Sequence, residues 1–375
     1  MYNISFKAYD NKKLKHIHRS INTSAWIWNH CIALQKRYYS LYKKYINVNK
    51  LQKHISKLRN KNKIWKDLNS QTVQEICQRV DSAYNRFFKK LSKRPPKFKK
   101  TISFNSFVLK QSGWEIQDNV LTINKIEYKF SKSRDYENIK RITVKRNKLG
   151  EIFFILCCDI KPKNFERVGN STIGIDFGLK TYLTISNGKE IISPEFFKKH
   201  LKLIKSLNKK FSKKKKGSNN YKKSLKNLQR AYIKISNRRS DFEWKLVHNL
   251  CKNNSFIAIE DLDIESMKKK FGRKISDLSF SSFVNKLEQI ALKYDVIIQK
   301  IDRYYPSTKL CNSCGHKQDL SLSDREYVCT QCGMIDNRDL NAAKNILTEG
   351  IRLYSTKHKT VICSSLGLKV ESHRL

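Results

Sequence analysis

Apolar residues recur every three or four positions from Lys12 to about Leu91, every second position from Ser103 to Asp159, and in both modes after Ser171. The first interval predicts helices. One carries Trp26, Trp28, Cys31, Leu34 and Tyr38, and another carries Val73, Ile76, Val80, Ala83, Tyr84, Phe87 and Phe88 on one stripe. Gln71, Gln74, Gln78, Arg79 and Arg86 fall on the polar side of that second helix, where a solvated face or contact with phosphates and base edges are both open. The Pro95-Pro96 pair inside KRPPKFKK ends the helical interval, and its charges suit an extended linker on a phosphate backbone. The second interval predicts short strands at Ser103–Leu109, Asn119–Ile123, Ile126–Phe130, Ile142–Arg146 and Ile152–Asp159. Turn residues such as Asn147-Lys148-Leu149-Gly150 separate them, so a small antiparallel barrel joined by an N-terminal strand, Met1–Ala8, is expected.

The third interval mixes elements. Ser171–Thr181 alternates, placing Ile173 and Ile175 on one face and Gly174 and Asp176 on the other. Leu183–Ser186 and Lys189–Ser193 form a hairpin about Asn187-Gly188. A long basic helical segment runs from Pro194 to about Cys251, bent near Lys213–Lys216. A buried strand, Phe256–Leu262, puts Glu260 on the side of Ala258; helix Phe283–Tyr294 and strand Val296–Ile301 follow. The order βββ-α-β-α-β, an insertion and a last helix is that of a ribonuclease-H-like core.

Composition sharpens this picture. The chain's 375 residues exceed one ordinary core, and 78 Lys and Arg against 32 Asp and Glu give a net charge of +46. So large an excess attracts polyanions, nucleic acid above an anionic membrane surface. No stretch approaches ~18 consecutive apolar residues and the N-terminus lacks a signal-peptide core, so the expectation is an intracellular protein without a membrane partner. Four of its ten cysteines form two Cys-x-x-Cys pairs, Cys311/Cys314 and Cys329/Cys332, each followed by glycine. That spacing predicts a four-thiolate structural zinc site with no open coordination position. The other six, Cys31, Cys77, Cys157, Cys158, Cys251 and Cys363, read as reduced thiols.

Asp176, Glu260 and Asp339 each stand at the end or start of an element beside a buried apolar run. Asp176 could instead cap a turn, Asp261 and Asp263 compete with Glu260, and Asp336 competes with Asp339. As a trio on adjacent elements they would repel unless divalent cations lay between them, and two Mg²⁺ about 3.5–4 Å apart would serve phosphodiester hydrolysis. Oxygen ligands suit Mn²⁺ as well.

The segments GIDFGLKTYLTIS, NRRSDF, IAIEDLDIESM, ISDLSF, DRYYPSTKLCNSCG, YVCTQCG and NRDLNAAKNI occur in the order found in TnpB proteins, transposon-encoded relatives of the miniature type V CRISPR effectors. The chain resembles that family closely from Ile173 to about Leu347. It does so more loosely through SQTVQEICQRVDSAYNRFFKKL, KRPPKFKK and KFSKSRDYENIKRITVKRNKLG. The resemblance implies an RNA-guided DNA endonuclease, with Asp176, Glu260 and Asp339 as its RuvC carboxylates and the four cysteines as its zinc finger. It implies a guide RNA from the transposon end, target DNA with a short flanking motif, and a monomer with one RNA. The fold expected is multidomain α+β: a wedge-type barrel over 1–10 and 101–170, a helical recognition lobe over 11–100, a RuvC-like core over 171–307 and 336–352, a zinc finger over 308–335 and a tail over 353–375. Gln74, Gln78, Arg94, Lys97, Lys213 and Lys214 are candidate nucleic-acid contacts. The family usually has Asp-Arg-Asp where this chain has Asn337-Arg338-Asp339, and its usual Tyr-Pro turn is replaced by Ala8-Tyr9-Asp10-Asn11. Competing readings are a transposase that transfers strands itself, a non-catalytic nucleic-acid-binding regulator and an RNA-independent junction nuclease.

Overall fold

In the computed structural model, which describes residues 2–159, 165–321 and 324–358, the chain divides into two units at Pro162/Lys163. The first unit holds strand β1 (Tyr2–Lys7), helices α1 (Leu14–Tyr42), α2 (Val48–Lys61), α3 (Lys63–Lys66) and α4 (Ser70–Phe88), and strands β2 (Ser106–Leu109), β3 (Trp114–Gln117), β4 (Val120–Ile123), β5 (Ile126–Lys129), β6 (Glu137–Arg146) and β7 (Ile152–Asp159). Helix α1 buries Leu14, Ile17, Ile21, Ala25, Trp28, Cys31 and Ile32, a stripe at helical spacing. Asn47 and Asn69 cap α2 and α4 by accepting backbone N–H bonds from Lys50 and Gln71, each at 2.9 Å. The segment 93–100 is neither helix nor strand, and it is not free. The Asn29 amide pairs with both backbone groups of Lys99 at 2.8 Å, and Trp28 Nε1 donates to the Lys97 carbonyl.

Among the described residues the strands of this unit pair as two sheets, not as the one closed ladder of the expected barrel. Their ladders form a four-stranded sheet, β1-β7-β6-β2, and a three-stranded meander, β3-β4-β5, joined among the described residues by the isolated bridge Ala8–Phe130. Strands of only four residues at β2 to β5 offer few ladder bonds, and the apolar faces of both sheets share one core with α1, α2 and α4 instead. Strand β3, not among the expected strands, also alternates, with Trp114 and Ile116 partly buried and Glu115 and Gln117 exposed.

The second unit contains β8 (Ser171–Phe177), β9 (Thr181–Ile185), β10 (Glu190–Ile192), α5 (Phe196–Lys199), α6 (Leu201–Ser212), α7 (Asn219–Asn253), β11 (Asn254–Glu260), α8 (Ile264–Leu278), α9 (Phe280–Tyr294), β12 (Ile297–Ile301), β13 (Glu326–Val328), β14 (Ile335–Asn337) and α10 (Arg338–His358). The sheet runs β10-β9-β8-β11-β12; β8, β11 and β12 are mutually parallel neighbours, while β9 and β10 are antiparallel. Ile173, Ile175, Ile257 and Ile259 face one core with Val247, Phe283 and Leu287 from α7 and α9. The basic segment is a helical hairpin, α6 and α7, with its own small core of Ile204, Leu228 and Ile235. Helix α10 continues past 352 to His358, so residues 353–358 are not the expected tail; residues 359–375, with Cys363, lie outside the described residues. Among the described residues no helix is long and apolar enough to cross a membrane.

Candidate functional site

Small residues let α10 lie directly on the sheet. A Cβ on Gly174 would fall 2.2 Å from the Ala343 carbonyl oxygen and 2.6 Å from the Leu347 nitrogen, and one on Gly350 would fall 2.5 Å from the Ala258 Cβ. Gly174 and Ala258 are paired across β8 and β11. Two residues further along the same face of each strand come Asp176 and Glu260. Asp339 enters from the first turn of α10.

The electrostatics tie Asp176 to the other two carboxyls. Burial pushes Asp176 up to about 8, and Glu260 and then Asp339 add to the rise, while the Phe177 backbone amide and the Arg338 guanidinium oppose it. Burial also raises Glu260, against a 2.5 Å hydrogen bond donated by the Ser307 hydroxyl. Arg338 lies 3.4 Å from Asp339 Oδ1. Such a cluster holds oxygen donors of the type that hard divalent cations take, and added positive charge would relieve the mutual repulsion. The neighbouring acids are otherwise engaged: Asp261 pairs with Arg303, Asp263 caps α8 by accepting from Ser266, and Asp336 pairs with Lys344.

The four cysteines converge more tightly. Among the described residues, Cys311, Cys314, Cys329 and Cys332 form a group whose ligand atoms all lie within 4.8 Å of one another, with Sγ–Sγ distances of 3.7 Å for Cys311–Cys332 and 3.6 Å for Cys314–Cys329. A tetrahedron with Zn–S near 2.3 Å has an edge of about 3.8 Å, so the cluster fits that ion. Backbone N–H groups of Cys332 and Gln331 hold the Cys329 thiol down at about 6. Gly315 and Gly333 sit at φ +75° and +71°, the left-handed backbone that ends each thiol turn. Among the described residues this is the one group of three or more such side chains close enough to hold an ion, and the carboxylate trio does not form a second.

Sequence reasoning missed the link between the two sites. Asn341 and Asn345, one turn apart and buried on α10, reach the strand-to-finger segment. Asn341 donates to the Leu310 carbonyl at 2.7 Å and accepts from Asn312, while Asn345 donates to the carbonyls of Ser307 and Leu310. The two Asn share a polar helix side with Thr348 and Arg352, so nothing in the sequence singled them out. Asn337 also gains a role, since its Oδ1 accepts the backbone N–H of Asp339 at 2.9 Å and of Leu340 at 3.2 Å, capping α10.

The candidate nucleic-acid residues are dispersed. Gln74 and Gln78 are both exposed on α4, but Gln78 accepts from Lys110 at 2.6 Å, whereas Gln74 lines a cleft with Asn49, Gln52 and Arg59. Arg94 and Lys97 are exposed on the pinned linker, and Lys213 and Lys214 are exposed at the turn after α6.

A family model described as "Probable transposase" (OrfB_IS605) matches residues 155–270, and the Cas12f1-like TNB domain matches residues 280–346. A Streptomyces pristinaespiralis protein, named as a candidate RNA-guided DNA endonuclease, is 31% identical over 295 residues, covering 76% of this chain and 72% of the relative. InsQ of Escherichia coli strain K12, named in the same way, is 26% identical over 348 residues, covering 87% of this chain and 86% of the relative. A solved Cas12f1–sgRNA–target DNA complex superposes with a TM-score of 0.58 over 90% of this chain and 83% of that one, at 18% identity, which is a likeness of fold.

Proposed function

The chain belongs to the TnpB family, and from that premise we propose that it is a transposon-encoded, RNA-guided DNA endonuclease that cuts at Asp176, Glu260 and Asp339. The observation that carries the reading is the setting of Asp176: it ends a strand beside the one that carries Glu260, and burial, Glu260 and Asp339 all push it toward its protonated form, as expected of groups gathered to share cations. In this reading Asp176, Glu260 and Asp339 hold two Mg²⁺ or Mn²⁺ ions in a ribonuclease-H-like core. When bound, those ions supply charge to the attacking water and the leaving 3′ oxygen of the phosphodiester. The protein's own part is positional. The β8–β11 ladder sets Asp176 beside Glu260, and the Asn337 cap fixes the start of α10.

Cys311, Cys314, Cys329 and Cys332 hold a structural zinc, whose finger is tied to α10 through Asn312 and Asn341. The first unit takes the RNA and its DNA partner as a recognition lobe and wedge. Base pairing delegates sequence choice to RNA, so the protein needs mainly backbone contacts, which a charge of +46 supplies. Gln74, Gln78, Arg94, Lys97, Lys213 and Lys214 remain our candidates for those contacts, with one protein chain per RNA.

The test is to sequence RNA that co-purifies with the native protein, and to supply a DNA library matching its variable segment. Cleavage of matched DNA with Mg²⁺, lost by at least about 10³-fold in Asp176→Asn, is expected, since the carboxylate would be a metal ligand. Cleavage without RNA, joined rather than cut products, or an active Asp176→Asn would overturn the reading.

A further inference from the structure

Ser307 is 3% exposed, and its hydroxyl points at Glu260 Oε1 at 2.5 Å. It sits in a tight turn, with its backbone N–H donating to the Tyr305 carbonyl at 2.8 Å and Lys309 N–H donating to the Pro306 carbonyl at 2.9 Å. Its own carbonyl accepts from Asn345 Nδ2 at 2.8 Å, and the next clamp, Asn341 to Leu310, lies one helical turn toward Asp339. A single path of hydrogen bonds therefore runs from the helix that carries Asp339 through residue 307 to the carboxylate on β11.

We propose that Ser307 is a positioning residue for Glu260, itself set by Asn345, so that α10 places two of the three acids at once. The inference rests on the nuclease reading above. A carboxylate at a strand end has several accessible rotamers, and one charge-assisted donor on Oε1 selects among them and leaves Oε2 to face the cation site. Loss of that donor loosens the grip on ions without touching the thiolates, because partners of a metal-ligating carboxylate orient it and tune its affinity.

The test uses the purified ribonucleoprotein of the wild type, Ser307→Ala and Ser307→Thr, each with zinc content and melting temperature measured. Mn²⁺ binding is read by electron paramagnetic resonance, and cleavage rate is followed across Mg²⁺ concentrations. Ser307→Ala is expected to need about 10- to 100-fold more ion for both readouts with one zinc per chain retained. Ser307→Thr, which keeps the hydroxyl, is expected to recover most of that loss. Should Ser307→Ala lose zinc or melt early, Ser307→Cys keeps the shape with only a weak donor and must show the same shift. Wild-type ion dependence in a folded Ser307→Ala or Ser307→Cys overturns the assignment, as does a folded Ser307→Thr as impaired as Ser307→Ala. A wild-type protein that binds no Mn²⁺ and cuts nothing overturns the nuclease reading itself, and is seen before any variant is compared.

Discussion

Asp176 is the residue whose setting is hardest to explain by folding alone. Its burial and its two acidic neighbours work against the charged form, and the cost has a sign that can be measured. Below about pH 4 an ordinary carboxyl is protonated whether the chain is folded or not, so the side chain is neutral in both states. As pH rises toward about 8, the unfolded chain ionises freely while folded Asp176 keeps its proton, and stability falls across that window. Asp176→Asn, neutral throughout, escapes the loss. Without added divalent ions, its melting temperature relative to wild type should improve by at least about 2 °C between pH 5 and pH 8. A difference independent of pH would mean that Asp176 is not held in this environment. The sequence showed which acids stood at element ends, but not which of Glu260, Asp261 and Asp263 turns inward. That choice is made by Arg303 and Ser266, which engage the two neighbours.

Helix α10 is the element on which the site depends. It lies on Gly174 and Ala258, carries Asp339, and clamps the finger with Asn341 and Asn345. Its start gives Asn337 a structural role. The position is exposed and serves as an N-cap, for which Asn and Asp are equally suited. Asn337→Asp is therefore expected to leave guided cleavage within about twofold, while Asn337→Ala lowers stability by about 0.5–2 kcal/mol in denaturant unfolding. Cleavage that rises or falls tenfold in Asn337→Asp would instead place residue 337 among the metal ligands. Period and turn chemistry made most such elements legible: β7 spans Ile152–Asp159 as the alternation requires, and α4 keeps its apolar stripe. The pairing of the first unit's strands into two sheets and the length of α10 were not legible, because both are decided by tertiary contacts rather than local pattern.

At the scale of the whole molecule, the excess of Lys and Arg and the absence of a sequence-reading helix motif suit a protein that holds nucleic acid by its backbone. The two units are each built around their own core, and the second alone contains every carboxylate and thiol assigned a role. The charge drew attention to nucleic acid from the composition alone, but it could not choose contact residues, since exposed Lys and Arg occur along the whole chain. What separates a nuclease from a mere binder is whether the acids of β8, β11 and α10 grip ions together. Anomalous diffraction from crystals of the RNA-bound protein soaked in Mn²⁺ measures this directly. The account predicts manganese peaks bridging Asp176, Glu260 and Asp339, with zinc at the four cysteines; a well-ordered trio without manganese, at concentrations that support cleavage, would contradict it.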